Sequence, residues 1–236
     1  MSELLYSKTL ADAIDDYLKR NDWHYSFDDD LGIFHFNWSI SKSRIRKLKY
    51  SIDVSHENFA AYVRPEFSAD EEDEDQMRRL SECINRINFG LRVGNFALDY
   101  RDGELNFKYS VDCPDGTPPD PELIERSIHI PAAVYRRYSP ALMDVMFKEA
   151  DPKKAVEGCE DGRNAVIALR ALMESGDNEP VSKLLSRLQA RLDEETAESD
   201  ADDGDEEKPD ADASDADEDD ADDFLFDLFG GDDSED

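Results

Sequence analysis

The spacing of apolar positions changes several times along this chain, and each change marks an element. In SKTLADAIDDYLKRN, Leu10, Ile14 and Leu18 recur every four residues behind a serine, which predicts an amphipathic helix from Ser7 to Asn21. After Trp23 the period falls to two. Phe34, Phe36, Trp38 and Ile40 alternate with His35, Asn37 and Ser39; Leu48, Tyr50, Ile52 and Val54 alternate with Lys49, Ser51, Asp53 and Ser55. NFAAYVRPEF reads as a third strand joined to the second by a hairpin at Glu57-Asn58, with Pro65 at a strand terminus or on an edge. One apolar and one polar face per strand implies a sheet packed on one side only. The helical period returns in FSADEEDEDQMRRLSECINRINFGL. Ser68 is the expected cap, the acidic run favours the first turn, and Met77, Leu80, Ile84, Ile87 and Leu91 form the expected buried stripe.

VGNFALDYRDGELNFKYSVD carries Asp102-Gly103, a dipeptide favoured in two-residue hairpin turns. A turn there would set Arg101 against Glu104, Tyr100 against Leu105, Leu98 against Phe107 and Phe96 against Tyr109, with Asp99–Asn106 and Ala97–Lys108 on the other face. Asp120-Pro121 then predicts a capped helix through Ile124 and Ile128 that Pro131 kinks or restarts, with Pro140 a further break. Asp151-Pro152 starts a short helix, and GRNAVIALRALMES and EPVSKLLSRLQARLDEE read as two more. The fold class is α+β: an antiparallel sheet with helices on one face, in the order αβββαββα. The expected division is a domain over 1–150, a helical extension over 151–195 and an acidic, disordered tail over 196–236.

Charge sharpens that division. The chain carries a formal −32. From Asp193 onward there are 24 acidic residues and one basic residue, Lys208, whereas residues 1–192 hold 35 acidic against 26 basic. The tail is a self-repelling polyanion with too little apolar surface to fold alone. This balance argues against nucleic acid or an anionic membrane as the principal ligand. The N-terminus has neither a basic nor an apolar signal region, no apolar run approaches a membrane span, and Cys83, Cys113 and Cys159 form no disulfide framework, so a cytoplasmic location is expected. The sequence provides no grounds for a cofactor or a metal. His24, His35, His56 and His129 do not cluster and are expected on exposed strands or loops, Cys83 reads as a small packed residue, and no nucleophile elbow or phosphate loop is present.

Asn85 and Asn88 before the hairpin, Gly94-Asn95-Phe96 opening it, the acidic-Gly turn at Asp102-Gly103 and the PALMDVM segment give residues 5–150 a likeness to a known family. In these marks and in element order the chain resembles the YbjN family, putative bacterial sensory transduction regulators that share the fold of class I type III secretion chaperones. The resemblance implies a module that often dimerises, binds other proteins and has no known enzyme activity.

Two features carry the candidate chemistry. Lys42, Arg44, Arg46, Lys47 and Lys49 place five positive charges in eight residues. Such lysines and arginines protect an exposed sheet edge, or they bind an anion, the tethered tail being the nearest. The second is FLFDLF. Phe224, Leu225, Phe226, Leu228 and Phe229 are apolar anchors in a polyanionic tether, the composition of a short docking motif. The reading is a non-enzymatic protein-interaction module, chaperone-like or regulatory, whose tail docks on its own domain or on a protein partner or client. A homodimer is compatible with it. Two other classes stay open: an acidic DNA mimic that binds basic proteins, and an enzyme with an unrecognised site.

Overall fold

The computed structural model describes residues 4–160. The helices expected over 162–175 and 179–195, the acidic tail and its anchor lie outside the described residues. Described residues up to Val156 belong to one compact unit.

Helix α1 (Lys8–Arg20) has Ser7 as its N-cap and Asn21 as its C-cap, and it buries Leu10, Ile14 and Leu18 as their spacing predicts. The chain then forms β1 (Ser26–Asp28), β2 (Ile33–Ser39), β3 (Lys47–Val54) and β4 (Asn58–Pro65). After these come α2 (Glu74–Gly90), β5 (Asn95–Leu98), β6 (Leu105–Asp112) and α3 (Pro121–Phe147). Residues 152–160 are again helical, with Asp151 accepting from the Lys154 N–H at 2.9 Å. The protein is α+β, with one six-stranded antiparallel sheet ordered β1-β2-β3-β4-β6-β5. The expected αβββαββα order therefore gains a strand. β1 is three residues with a single apolar side chain, too short to show alternation, and Phe27 secures it by packing its ring, tilted by 32°, on Phe34 at 4.4 Å between centroids.

The inner face of the sheet is apolar. Phe34, Phe36, Tyr50, Ile52, Val63, Phe96 and Phe107 are buried, while His35, Arg64 and Lys108 of the opposite face are exposed. Helix α3 lies on the inner face, contacting β4 and β6 and packing against α1 and α2. All of residues 127–135 are buried, the pattern of a helix covered on every side. Buried phenols tie it to the sheet. Tyr50 donates to the Ile128 carbonyl at 2.9 Å, and Tyr135 donates to Val63 and Leu105 at 3.0 and 3.2 Å. Burial holds both phenols well above their ordinary pKa.

Several expectations about element ends are corrected. Pro131 and Pro140 do not interrupt α3, which runs unbroken through both. Each proline removes one helical N–H, but residues 127–135 are buried all round Pro131, and Tyr138, Ser139, Ala141 and Leu142 are buried around Pro140, which holds the backbone in place. The N-cap of α2 is Asp73, not Ser68. Ala69 is buried and its N–H donates to Gly103 at 2.9 Å, which keeps this stretch extended. Gln76, three residues after the cap, then accepts from Asp70 N–H at 2.7 Å and donates to Met146 at 2.9 Å, joining the start of α2 to the end of α3. Leu91 falls past the helix, and Cys83 completes the buried stripe. The β3–β4 turn is at His56-Glu57, one residue earlier than expected, closed by Ser55 N–H to Asn58 at 2.9 Å.

The β5–β6 register differs by two residues. Phe96 faces Phe107, Ala97 faces Asn106 and Leu98 faces Leu105. The loop is four residues, Tyr100 to Gly103, closed by Asp99 N–H to Glu104 at 2.9 Å. Arg101 therefore pairs with Asp99, and Glu104 pairs with Arg64 of β4. Gly103 has φ +69°, and a Cβ there would lie 2.0 Å from the Ala69 carbonyl oxygen, so docking on residue 69 selects the longer loop. A shift of two leaves every side chain on its original face, which is why alternation could not discriminate between the registers.

Candidate functional site

The basic loop is a clamped segment of the fold. Ile40 and Ile45 are its buried pegs, and Ile40 N–H donates to Arg46 at 2.8 Å across its base. Between them, Ser139 of α3 is the anchor. Its Oγ accepts from Ser43 Oγ at 3.1 Å and from Arg44 N–H at 3.2 Å, and it donates to the Arg136 carbonyl at 3.1 Å. That fills the hydrogen-bonding capacity of one hydroxyl. The Arg136 carbonyl is the one whose usual helical donor, residue 140, is a proline. The proline in α3 thus frees a carbonyl, and the serine beside it uses that carbonyl to orient the loop.

The loop's cations divide into two sets. Arg44 Nη1 reaches Asp144 at 2.8 Å, and Lys148 shares that carboxylate at 3.2 Å. Arg46 and Lys47 are exposed, and Lys49 lies on the open face of the sheet between Asn37 and Arg64. Among the described residues, Arg46, Lys47 and Lys49 form no ion pair. Lys42 is held in the left-handed region at φ +51°.

Lys49 also lines an open depression of about 210 Å³ with Arg64, Pro65, Glu66, Phe67, Ser68, Asp102 and Glu104. Phe67 meets Phe147, the last residue of α3, edge to face at 5.7 Å between centroids. The basic loop, the polar depression and this ring pair are therefore contiguous. Sequence reading finds the loop but not Phe67, Arg64, Ser139, Asp144 or Phe147. Arg64 and Phe67 lie at and just beyond the end of β4, Ser139, Asp144 and Phe147 lie on α3, and Phe147 reads as one more position of a helical apolar stripe. Its place at the helix end, where packing stops, was the only available signal.

The histidines are dispersed. His24, His35 and His56 are exposed, and His35 Nδ1 lies 3.0 Å from Ser51 Oγ. His129 departs from expectation: it is buried in α3, its ring 5.0 Å from that of Trp38. Asp28, Asp29 and Asp30 bring three carboxylates together, and Asp28 Oδ1 accepts from Asp30 N–H and Leu31 N–H, which explains the cluster as a turn. Cys83 and Cys113 are buried. Phe224, Leu225, Phe226, Leu228 and Phe229 lie outside the described residues. Among those described, no helix is long and apolar enough to cross a membrane.

Asn88 gives one of the sequence marks a concrete role. Its amide donates to the Phe96 carbonyl at 2.9 Å and accepts from the Phe96 N–H at 2.7 Å. Gly94, with φ +69°, lets the chain pass the Phe107 ring, which a Cβ would approach to 2.5 Å. No protein-family model matches this chain, and no curated protein matches it.

Proposed function

We propose that this protein is a non-enzymatic protein-interaction module, chaperone-like or regulatory, of the YbjN type. Its acidic tail carries the aromatic docking motif Phe224, Leu225, Phe226, Leu228 and Phe229. The observation that carries the reading is the clamped basic loop. Hydrogen bonds to Ser139 and two buried isoleucines hold the backbone from which the loop's cations project, beside a sheet face that is polar and open among the described residues. Pre-organised charge of this kind suits recognition of an acidic segment, because little ordering entropy is lost on binding. Exposed large apolar side chains add surface a partner could cover. A homodimer, a reducing cytoplasm and a place in sensory regulation belong to this proposal through the family resemblance.

The test is capture of partners by the full-length protein and by a chain ending at Glu195, followed by affinity measurement on whatever is captured. The expected result is a drop of at least about tenfold on truncation, the scale of a lost tethered contact. Equal affinity for both would sink the proposal. The composition of the tail favours one second reading, a polyanion that competes for basic proteins. Binding that survives replacement of all five apolar anchors by serine, but not removal of the tail, would select it.

A further inference from the structure

Among the described residues, Leu5, Leu31, Phe89, Tyr100 and Phe147 are large apolar side chains more than half exposed. Phe89, at the end of α2, is 96% exposed, and nothing around it specifies what would cover it. The Phe67–Phe147 pair is different. Phe147 is 57% exposed, so the two rings form an apolar shelf with one wall, and its border is charged. Lys49 and Arg64 line the depression on the Phe67 side; Lys148 follows Phe147, and Arg44 joins it on Asp144. Carboxylates face the same space. Glu66, Asp102 and Glu104 line the depression, Glu104 is paired with Arg64, and Asp144 takes Arg44 and Lys148. The lining of the depression alone holds two cations against three carboxylates; Lys47, two residues from Lys49 on the same strand face, and Arg46 before it turn the balance of the wider surface positive.

A fitting occupant is short, rich in aromatic rings and anionic at its flanks. This chain contains such a segment. Three phenylalanines and two leucines fill residues 224–229, with Asp222 and Asp223 before them, Asp227 among them, and Asp232 and Asp233 after. The described chain turns from α3 into helical residues 152–160, so its continuation starts close in sequence to Phe147. Between Glu160 and Phe224 lie 63 residues. Even with the helices expected over 162–175 and 179–195 formed, the other residues of that stretch, at up to about 3.3 Å each, can span roughly 100 Å, enough to return to the shelf. The tether makes the contact intramolecular, so its occupancy does not depend on protein concentration.

We propose that residues 224–229 dock on the Phe67–Phe147 shelf of the same molecule, with the flanking aspartates facing Arg46, Lys47 and Lys49. The inference rests on the reading of the tail as a docking anchor and adds where it docks. An acidic partner would then have to displace the molecule's own tail, which makes the contact autoinhibitory.

The test is amide hydrogen exchange on the full chain, at several protein concentrations, in the native sequence, Phe147→Ser and Phe226→Ser. Phe226→Ser lies outside the described fold and controls for damage from Phe147→Ser. The expected result is that amides of 224–229 exchange at least about tenfold slower in the native chain than in either variant, independently of concentration. In Phe226→Ser, amides around Met146 and Phe147 should also exchange faster. Native exchange as fast as in Phe226→Ser would overturn the proposal, as would slowing that Phe147→Ser leaves intact. Slowing that appears only as concentration rises would assign the shelf to a second copy and overturn the intramolecular contact. Loss of partner affinity on truncation, together with fast exchange, would overturn the shelf and leave the anchor reading standing.

Discussion

Asn88 donates to one backbone group of Phe96 and accepts from the other, which is what a neighbouring strand would do. It occupies edge-strand groups that could otherwise pair with another chain. Single side chains fix local chemistry elsewhere too. The Tyr25 phenol donates to Asp15, and its pKa is pushed up to about 12, first by burial and then by that carboxylate. Burial opposes ionisation of Asp15, but hydrogen bonds from Lys19 and Tyr25 outweigh it, and the carboxyl lies below its ordinary value. The sign for stability follows from linkage. A tyrosine whose folded pKa exceeds the unfolded value of about 10 contributes stability that is full below that pH. The contribution is lost as pH rises through about 12. Phenolate absorbance, read as the difference between the native chain and Tyr25→Phe, should show Tyr25 largely protonated at about pH 11. In Asp15→Asn the transition should move down toward the ordinary value, although burial keeps part of the shift. An unmoved transition would mean that the Asp15 contact does not raise the pKa.

At the scale of elements, the instructive case is α3. Two prolines read locally as breaks, yet the helix continues because nearly every side of it is packed, and burial of a large apolar side chain is worth about 1.5–3 kcal/mol. The carbonyl freed by Pro140 becomes part of the clamp on the basic loop. Ser139→Ala would remove the acceptor for Ser43 Oγ and Arg44 N–H in a buried position. The expected cost is about 1–3 kcal/mol by denaturant unfolding, with faster exchange of the Arg44 amide. Unchanged exchange at Arg44 would show that the isoleucine pegs alone hold the loop. The β5–β6 hairpin shows the complementary limit. Its strands and their buried faces were legible from alternation, but the register was not, because the contact between Ala69 and Gly103 that selects it comes from a distant segment.

At the scale of the molecule, the charge distribution sets long-range behaviour. A tail with 24 acidic residues and one basic residue is attached to a domain whose loop concentrates cations. Steering between the two is screened by salt, with a Debye length of about 10 Å at 0.1 M. Changing Lys42, Arg46, Lys47 and Lys49 to Gln should reduce the docked population of the tail, read by exchange at 224–229, several-fold at low salt. The difference should nearly vanish near 0.5 M. An effect independent of salt would place those residues in a structural role instead.

The sequence alone determined the class of the protein: an amphipathic first helix with its cap, alternating strands with one buried face, a buried helix stripe, and a polyanionic composition from Asp193 onward. These are local properties, readable because side-chain period follows backbone geometry and charge adds along the chain. It also located the basic loop. Tertiary structure decided what distant segments settle together: the extra strand Ser26–Asp28, the start of α2, the β5–β6 register, the unbroken course of α3, and the union of Ser43, Ser139, Phe67 and Phe147 beside that loop. The physical reason is that each of those outcomes depends on a contact across many residues, whose energy no local window contains.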